Sequence, residues 1–67
     1  MGKLRLIHLG LGRWGADWAR RVYPGHPEVE PVAYVDPDPA ARERARAILG
    51  APATAFFSRL AEALGAL

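Results

Sequence analysis

At 67 residues the chain falls below the ~100–200 of a typical domain, which excludes a second domain in this stretch and leaves little for a core, since thirteen of its apolar residues are alanine. No cysteine and only two histidines, 18 residues apart, exclude a disulfide or a structural metal as reinforcement. Nine basic and seven acidic residues interleave to a net +2, which speaks against a nucleic-acid binder, and no apolar run approaches the ~20 residues of a membrane span.

Met1-Gly2-Lys3-Leu4-Arg5 leads into a six-residue apolar stretch broken by His8, too short for a secretory signal, so a cytoplasmic protein is expected. Lys3 to Leu9 predicts a first strand, buried on both faces. After the glycines of Gly10 to Gly15, Trp14, Trp18 and Val22 recur at i, i+4 and i+8 with Ala19 beside them, which predicts a helix from Arg13 with that stripe turned inward. Pro24-Gly25-His26-Pro27 stops it. Pro31 to Val35 predicts a second strand, with proline at its first position, ending at Asp36.

Asp38 then reads as an N-cap and Pro39 as the first residue of a second helix. Its inward stripe is Ala41, Ala45, Ile48 and Leu49, its outer face carries Glu43 and Arg46, and Gly50 terminates it before Pro52. Thr54 to Phe57 predicts a short third strand, and Ser58 a cap for a last helix from Arg59 to Leu64. Strands alternating with helices imply a parallel sheet joined by right-handed crossovers.

The chemistry concentrates in Gly10-Leu11-Gly12-Arg13-Trp14-Gly15, a complete G-x-G-x-x-G. The first glycine suits a tight turn, the second a close approach of backbone to pyrophosphate, and the third close packing of helix on strand. The context fits on both sides: a strand before, a helix after, and Asp36 at the end of the next strand, 21 residues beyond Gly15. Backbone N–H groups of Leu11, Gly12, Arg13 and Trp14 would face the phosphates at a helix N-terminus, and Asp36 would accept from the adenosine ribose hydroxyls. A carboxylate there repels a 2′-phosphate, so NAD is expected, with NADP open through Arg13 or Arg42. For Arg13 a solvated position is the alternative. Trp14 and Trp18 read as core, His8 as a packed or hydrogen-bonded histidine, and Arg42, Arg44 and Arg46 as a solvated helix face.

Leu6-Ile7-His8-Leu9-Gly10-Leu11-Gly12-Arg13-Trp14-Gly15 followed by Glu30-Pro31-Val32-Ala33-Tyr34-Val35-Asp36-Pro37-Asp38-Pro39 resembles the amino-terminal part of the glucose-fructose oxidoreductase, inositol dehydrogenase and MocA (Gfo/Idh/MocA) family. Phe56-Phe57-Ser58-Arg59-Leu60-Ala61-Glu62-Ala63-Leu64 is similar to the short strand and helix that come next there. The resemblance implies an NAD(P)-dependent oxidoreductase, homo-oligomeric when intact, that moves hydride between nicotinamide and a hydroxyl-bearing carbon of a sugar or cyclitol. His8 departs from the usual aliphatic residue. The family continues with a fourth strand, a Glu-Lys-Pro segment with a catalytic lysine and a substrate domain. None of these is in the sequence, so no catalytic residue and no metal ligand is assigned.

Residues 1–67 are therefore expected to form a partial dinucleotide-binding domain of the α/β class. It is the first half of a Rossmann doubly wound parallel sheet, β-α-β-α-β-α in strand order 3-2-1, truncated and without its substrate domain. Two successive crossovers put both helices on one face and leave the other face and the outer edge of the first strand uncovered. The chain is thus expected to be marginally stable or to self-associate, and to catalyse nothing alone. The alternatives are a non-catalytic nucleotide-binding module, an inactive truncated product, and, least favoured, a small nucleic-acid binder.

Overall fold

The computed structural model describes residues 4–67, without the Arg13 side chain, so the expected strand position of Lys3 lies outside the described residues. Three strands, β1 (Leu4–Leu9), β2 (Val29–Val35) and β3 (Phe56–Phe57), form one parallel sheet in the order β1-β2-β3. They alternate with helices α1 (Arg13–Val22), α2 (Pro39–Leu49) and α3 (Leu60–Ala66). This is the expected alternating α/β arrangement with β2 in the centre. Among the described residues no helix is long and apolar enough to cross a membrane.

β2 starts two residues earlier than expected, which moves Pro31 from the strand's first position into its interior. A proline cannot donate to a ladder, and the pairing responds: Leu6 faces Pro31, but Ile7 faces Ala33, so Val32 is left over as a bulge. β3 pairs with Tyr34 and Val35, and among the described residues no strand neighbours the Pro31 level of β2 on that side. The expected strand residues Thr54 and Ala55 belong instead to a 3₁₀ turn, Ala53–Ala55.

Asp38 caps α2 as expected, its carboxylate accepting from the Ala40 N–H at 3.0 Å, and Gly50 ends that helix at φ 67°. α3 begins one residue later than expected. Ser58 does not cap it: the Arg59 N–H donates to Glu62, a carboxylate near the positive end of the helix.

The core has two parts, one on each face of the sheet. α1 and α2 share a face, where Leu11, Ala16, Tyr34, Ala41 and Ala45 are buried and Tyr34 stacks on Phe56. On the other face α3 lays Ala63 against Ala33 and Val35, beside Ile7 and Phe57. Among the described residues six of the nine buried apolar ones are alanine, and Leu11 is the largest side chain fully enclosed. β1, an edge strand, is not buried on both faces as expected, since α3 lies over β2 rather than over it: among its residues only His8 is buried, while Leu4 and Leu9 are exposed.

The inward stripe of α1 also differs. Ala16 and Ala19 are the buried residues, whereas Trp14 is 79% and Trp18 48% exposed. At about 100° per residue the two tryptophans lie roughly opposite the alanine direction. α1 packs closely on the sheet and α2 through its smallest side chains, and among the described residues no element lies beyond β1 to enclose the indoles. Ile48 is likewise displaced from the expected α2 stripe and is 44% exposed. A direct consequence is that Trp14→Ala should change stability by less than ~0.5 kcal/mol, where truncating a core aromatic costs about 3–5. Urea unfolding followed by circular dichroism measures the difference.

Candidate functional site

Parallel pairing brings the C-terminal ends of β1 and β2 together, with Leu9 opposite Val35. Each ladder runs one residue further: the Gly10 N–H donates to the Val35 carbonyl at 2.8 Å and the Asp36 N–H to that of Phe57 at 3.0 Å. Gly10 and Asp36 are thereby held at the same end of the sheet. Open α/β sheets bind their ligands at the carboxyl ends of the strands, which is this end.

The turn is built around its first and third glycines. Gly10 adopts φ 96°, a conformation that an L side chain rarely takes. Gly15 is fixed for a different reason: a Cβ there would lie 2.1 Å from the Gly10 carbonyl oxygen. The helix therefore meets the strand backbone to backbone, the close packing expected of the third glycine. Gly12 has neither constraint. Its φ is −66°, open to any residue, and a Cβ would meet nothing within 4 Å. Among the described residues neither backbone conformation nor packing requires a glycine at that position.

Gly12 is also the N-cap of α1, which has no side-chain cap. The first amides of a helix have no carbonyl partner within it and carry its partial positive charge, so they face this end of the sheet as donors. Leu11 is an exception to the expectation. Its N–H does not face outward but donates to Asp36 Oδ2 at 2.8 Å, while its side chain is 1% exposed beneath the turn.

Asp36 is the hub of this end. Oδ2 accepts from Leu11 and Oδ1 from the Asp38 N–H at 2.9 Å, and the Arg42 guanidinium donates to the Asp36 backbone carbonyl at 2.6 Å. The Leu11 and Asp38 amides, helped by Arg42 and Arg44, hold the carboxyl below its ordinary value. Each oxygen keeps a second acceptor position, so a pair of hydroxyls can still be bound.

The α2 cations divide. Arg46 pairs with Glu43 at 2.7 Å on the solvated face, as expected. Arg42 is instead anchored on Asp36, and Arg44 lines a cleft of about 350 Å³ with Leu11, Gly12, Ala16 and Ile48. Among the described residues no carboxylate forms an ion pair with Arg44. Its spacing of three from the buried Ala41 and of four from Ile48 puts it beside the buried stripe, a signal that its charge obscures. Trp14 contributes backbone to the turn, while its side chain projects into solvent, and the Arg13 side chain lies outside those described.

His8, expected to be packed or hydrogen-bonded, is both. It is buried, with Nδ1 2.6 Å from the Tyr23 hydroxyl and Nε2 2.9 Å from the Gly10 carbonyl oxygen. Tyr23, which sequence pattern did not single out, thus joins the turn through a histidine. Compared with known proteins, the chain matches no family model, no curated protein and no solved structure.

Proposed function

We propose that the chain is the first half of a Rossmann doubly wound fold and that its glycine turn binds the ADP half of a dinucleotide, NAD in preference to NADP. The observation that carries this is the Asp36 carboxylate, fixed by the Leu11 amide at 2.8 Å beside the glycine turn. In this reading the pyrophosphate meets the amides of Gly12, Arg13 and Trp14, and Asp36 accepts from the adenosine ribose hydroxyls. Gly12 supports it independently. A glycine that neither φ nor packing demands is explained by a ligand that must approach the backbone closely.

The preference for NAD follows from charge. Asp36 is held anionic by its two amide donors, and a 2′-phosphate would face that carboxylate at close range. Arg44 beside the cleft moderates the penalty, so NADP is expected to bind more weakly. On the family resemblance, the whole protein is proposed to be an oxidoreductase of sugars or cyclitols. The described chain is proposed to bind without turnover, because His8 and Tyr23, the proton-carrying groups nearest the turn, are engaged with each other and with Gly10.

Calorimetric titration tests the proposal. ADP-ribose should bind about as tightly as NAD, nicotinamide mononucleotide should give no heat, and NADP should be weaker. Equal heats for the two halves of the dinucleotide, or none for ADP-ribose, would remove the reading.

A further inference from the structure

We propose that His8 is a positioning residue of the glycine turn, held in one tautomer by Tyr23 so that its ring N–H fixes the Gly10 carbonyl. The functional sense of this rests on the nucleotide reading of the turn; the geometry does not.

The Gly10 carbonyl oxygen is confined from two sides. Gly15 closes on it so tightly that a methyl group there would overlap it, and His8 Nε2 sits 2.9 Å away. A carbonyl can only accept, so Nε2 must carry a proton. In the neutral ring Nδ1 is then an acceptor, and the group placed 2.6 Å from it is the Tyr23 hydroxyl. The proton order is therefore Tyr23 O–H to Nδ1 and Nε2–H to Gly10.

The surroundings favour that order. Burial, with a smaller contribution from Tyr34, pushes the Tyr23 hydroxyl above its ordinary value, so it stays a donor. Trp18 packs edge-on against Tyr23 at 5.4 Å between ring centres and lies 6.1 Å from the His8 ring, covering the pair on the side of the open strand edge. Trp18 thus has a role that its partial exposure hides. Among the described residues no other donor is bonded to the Gly10 carbonyl, so an aliphatic residue at position 8 would leave it unmet behind the turn.

Ring-nitrogen NMR of the full chain in mildly alkaline buffer reads the tautomer: a protonated Nε2 and a bare Nδ1 are expected, and the reverse or an average of the two overturns the proposal. His8→Leu, His8→Gln and Tyr23→Phe, each checked for fold by circular dichroism, are then titrated with NAD. His8→Leu should weaken binding roughly fivefold to tenfold, the weight of one hydrogen bond. His8→Gln supplies an amide N–H in place of Nε2–H and should recover most of it, and Tyr23→Phe should fall between, with its tautomers averaged. Wild-type affinity in His8→Leu overturns the proposal, as does a His8→Gln no better than leucine. Should His8→Leu not fold, Tyr23→Phe against wild type gives the decision. If the wild-type chain binds no NAD, the nucleotide reading fails on its own, and amide exchange at Leu11 to Trp14 decides here: faster in Tyr23→Phe supports the positioning role, unchanged overturns it.

Discussion

Gly15→Ala should abolish cooperative folding of the chain, and Gly12→Ala, three residues away, should leave it intact. The added methyl of the first would lie 2.1 Å from the Gly10 carbonyl oxygen and 2.9 Å from its carbon. Both obstacles are backbone, so no rotamer change relieves them. Either α1 lifts from β1 or Gly10 moves, and Gly10 is tied to Val35 and to His8. Overpacking a core costs about 1–3 kcal/mol where side chains can yield, and more is expected where they cannot. At roughly 0.05–0.15 kcal/mol per residue, a domain of this size has little stability to lose. Gly12→Ala adds a methyl to open space at an ordinary φ and loses only the N-cap preference of glycine over alanine, so the chain should still melt cooperatively, within about 1 kcal/mol of wild type. Its NAD affinity should fall at least tenfold if pyrophosphate lies against that backbone. Thermal melts and titrations of the two variants separate the glycine that serves the fold from the one assigned to the ligand.

Asp36→Ala should lose nucleotide binding and about 1–3 kcal/mol of stability together, because the Leu11 amide, enclosed under the turn, is left without its acceptor. The same residue sets a pH dependence whose sign is fixed. Its folded pKa lies below the ordinary carboxylate value, so between the two values the unfolded chain binds more protons. The contribution is complete above the unfolded value and is lost as pH falls through the folded one. Asp36→Asn should flatten this acid limb of urea-derived stability. Asp17, Glu28 and Glu62 are also held low, chiefly by Arg20, by the Glu28 backbone amide and by the Ser58 hydroxyl respectively, and because all three are common to both proteins the difference between wild type and Asp36→Asn isolates the share of Asp36. An unchanged limb in Asp36→Asn would show that the amide contacts of this carboxylate do not persist in solution.

The elements that could be read without the structure are those governed by local backbone chemistry. Gly10 and Gly50 both adopt positive φ, Asp38 caps α2, and Asp36 stands at the end of β2 opposite the glycine turn. Each follows from which conformations or hydrogen bonds a single residue type permits. The misreadings are tertiary. Trp14, Trp18 and Ile48 form apolar stripes of helical period, yet whether a stripe is buried depends on what lies across from it, and beside the open edge of β1 Trp14 stays in solvent while Trp18 is only half covered, against Tyr23 and His8. The Val32 bulge arises from pairing with β1 and was invisible in β2 alone. His8 was recognised as structural, but its target, a carbonyl two residues away, exists only once Gly10 has turned left-handed.

The alanine core alters what mutagenesis can detect in this molecule. Conventional scanning truncates large side chains and measures the hole left behind, but at Ala16, Ala33, Ala41, Ala45 and Ala63 there is almost nothing to truncate. The informative scan runs in the opposite direction. Enlarging these positions to valine or leucine forces apart backbones whose proximity is the packing, so the steepest losses should follow added volume, and the sites most intolerant of change are those where conventional scanning reports silence.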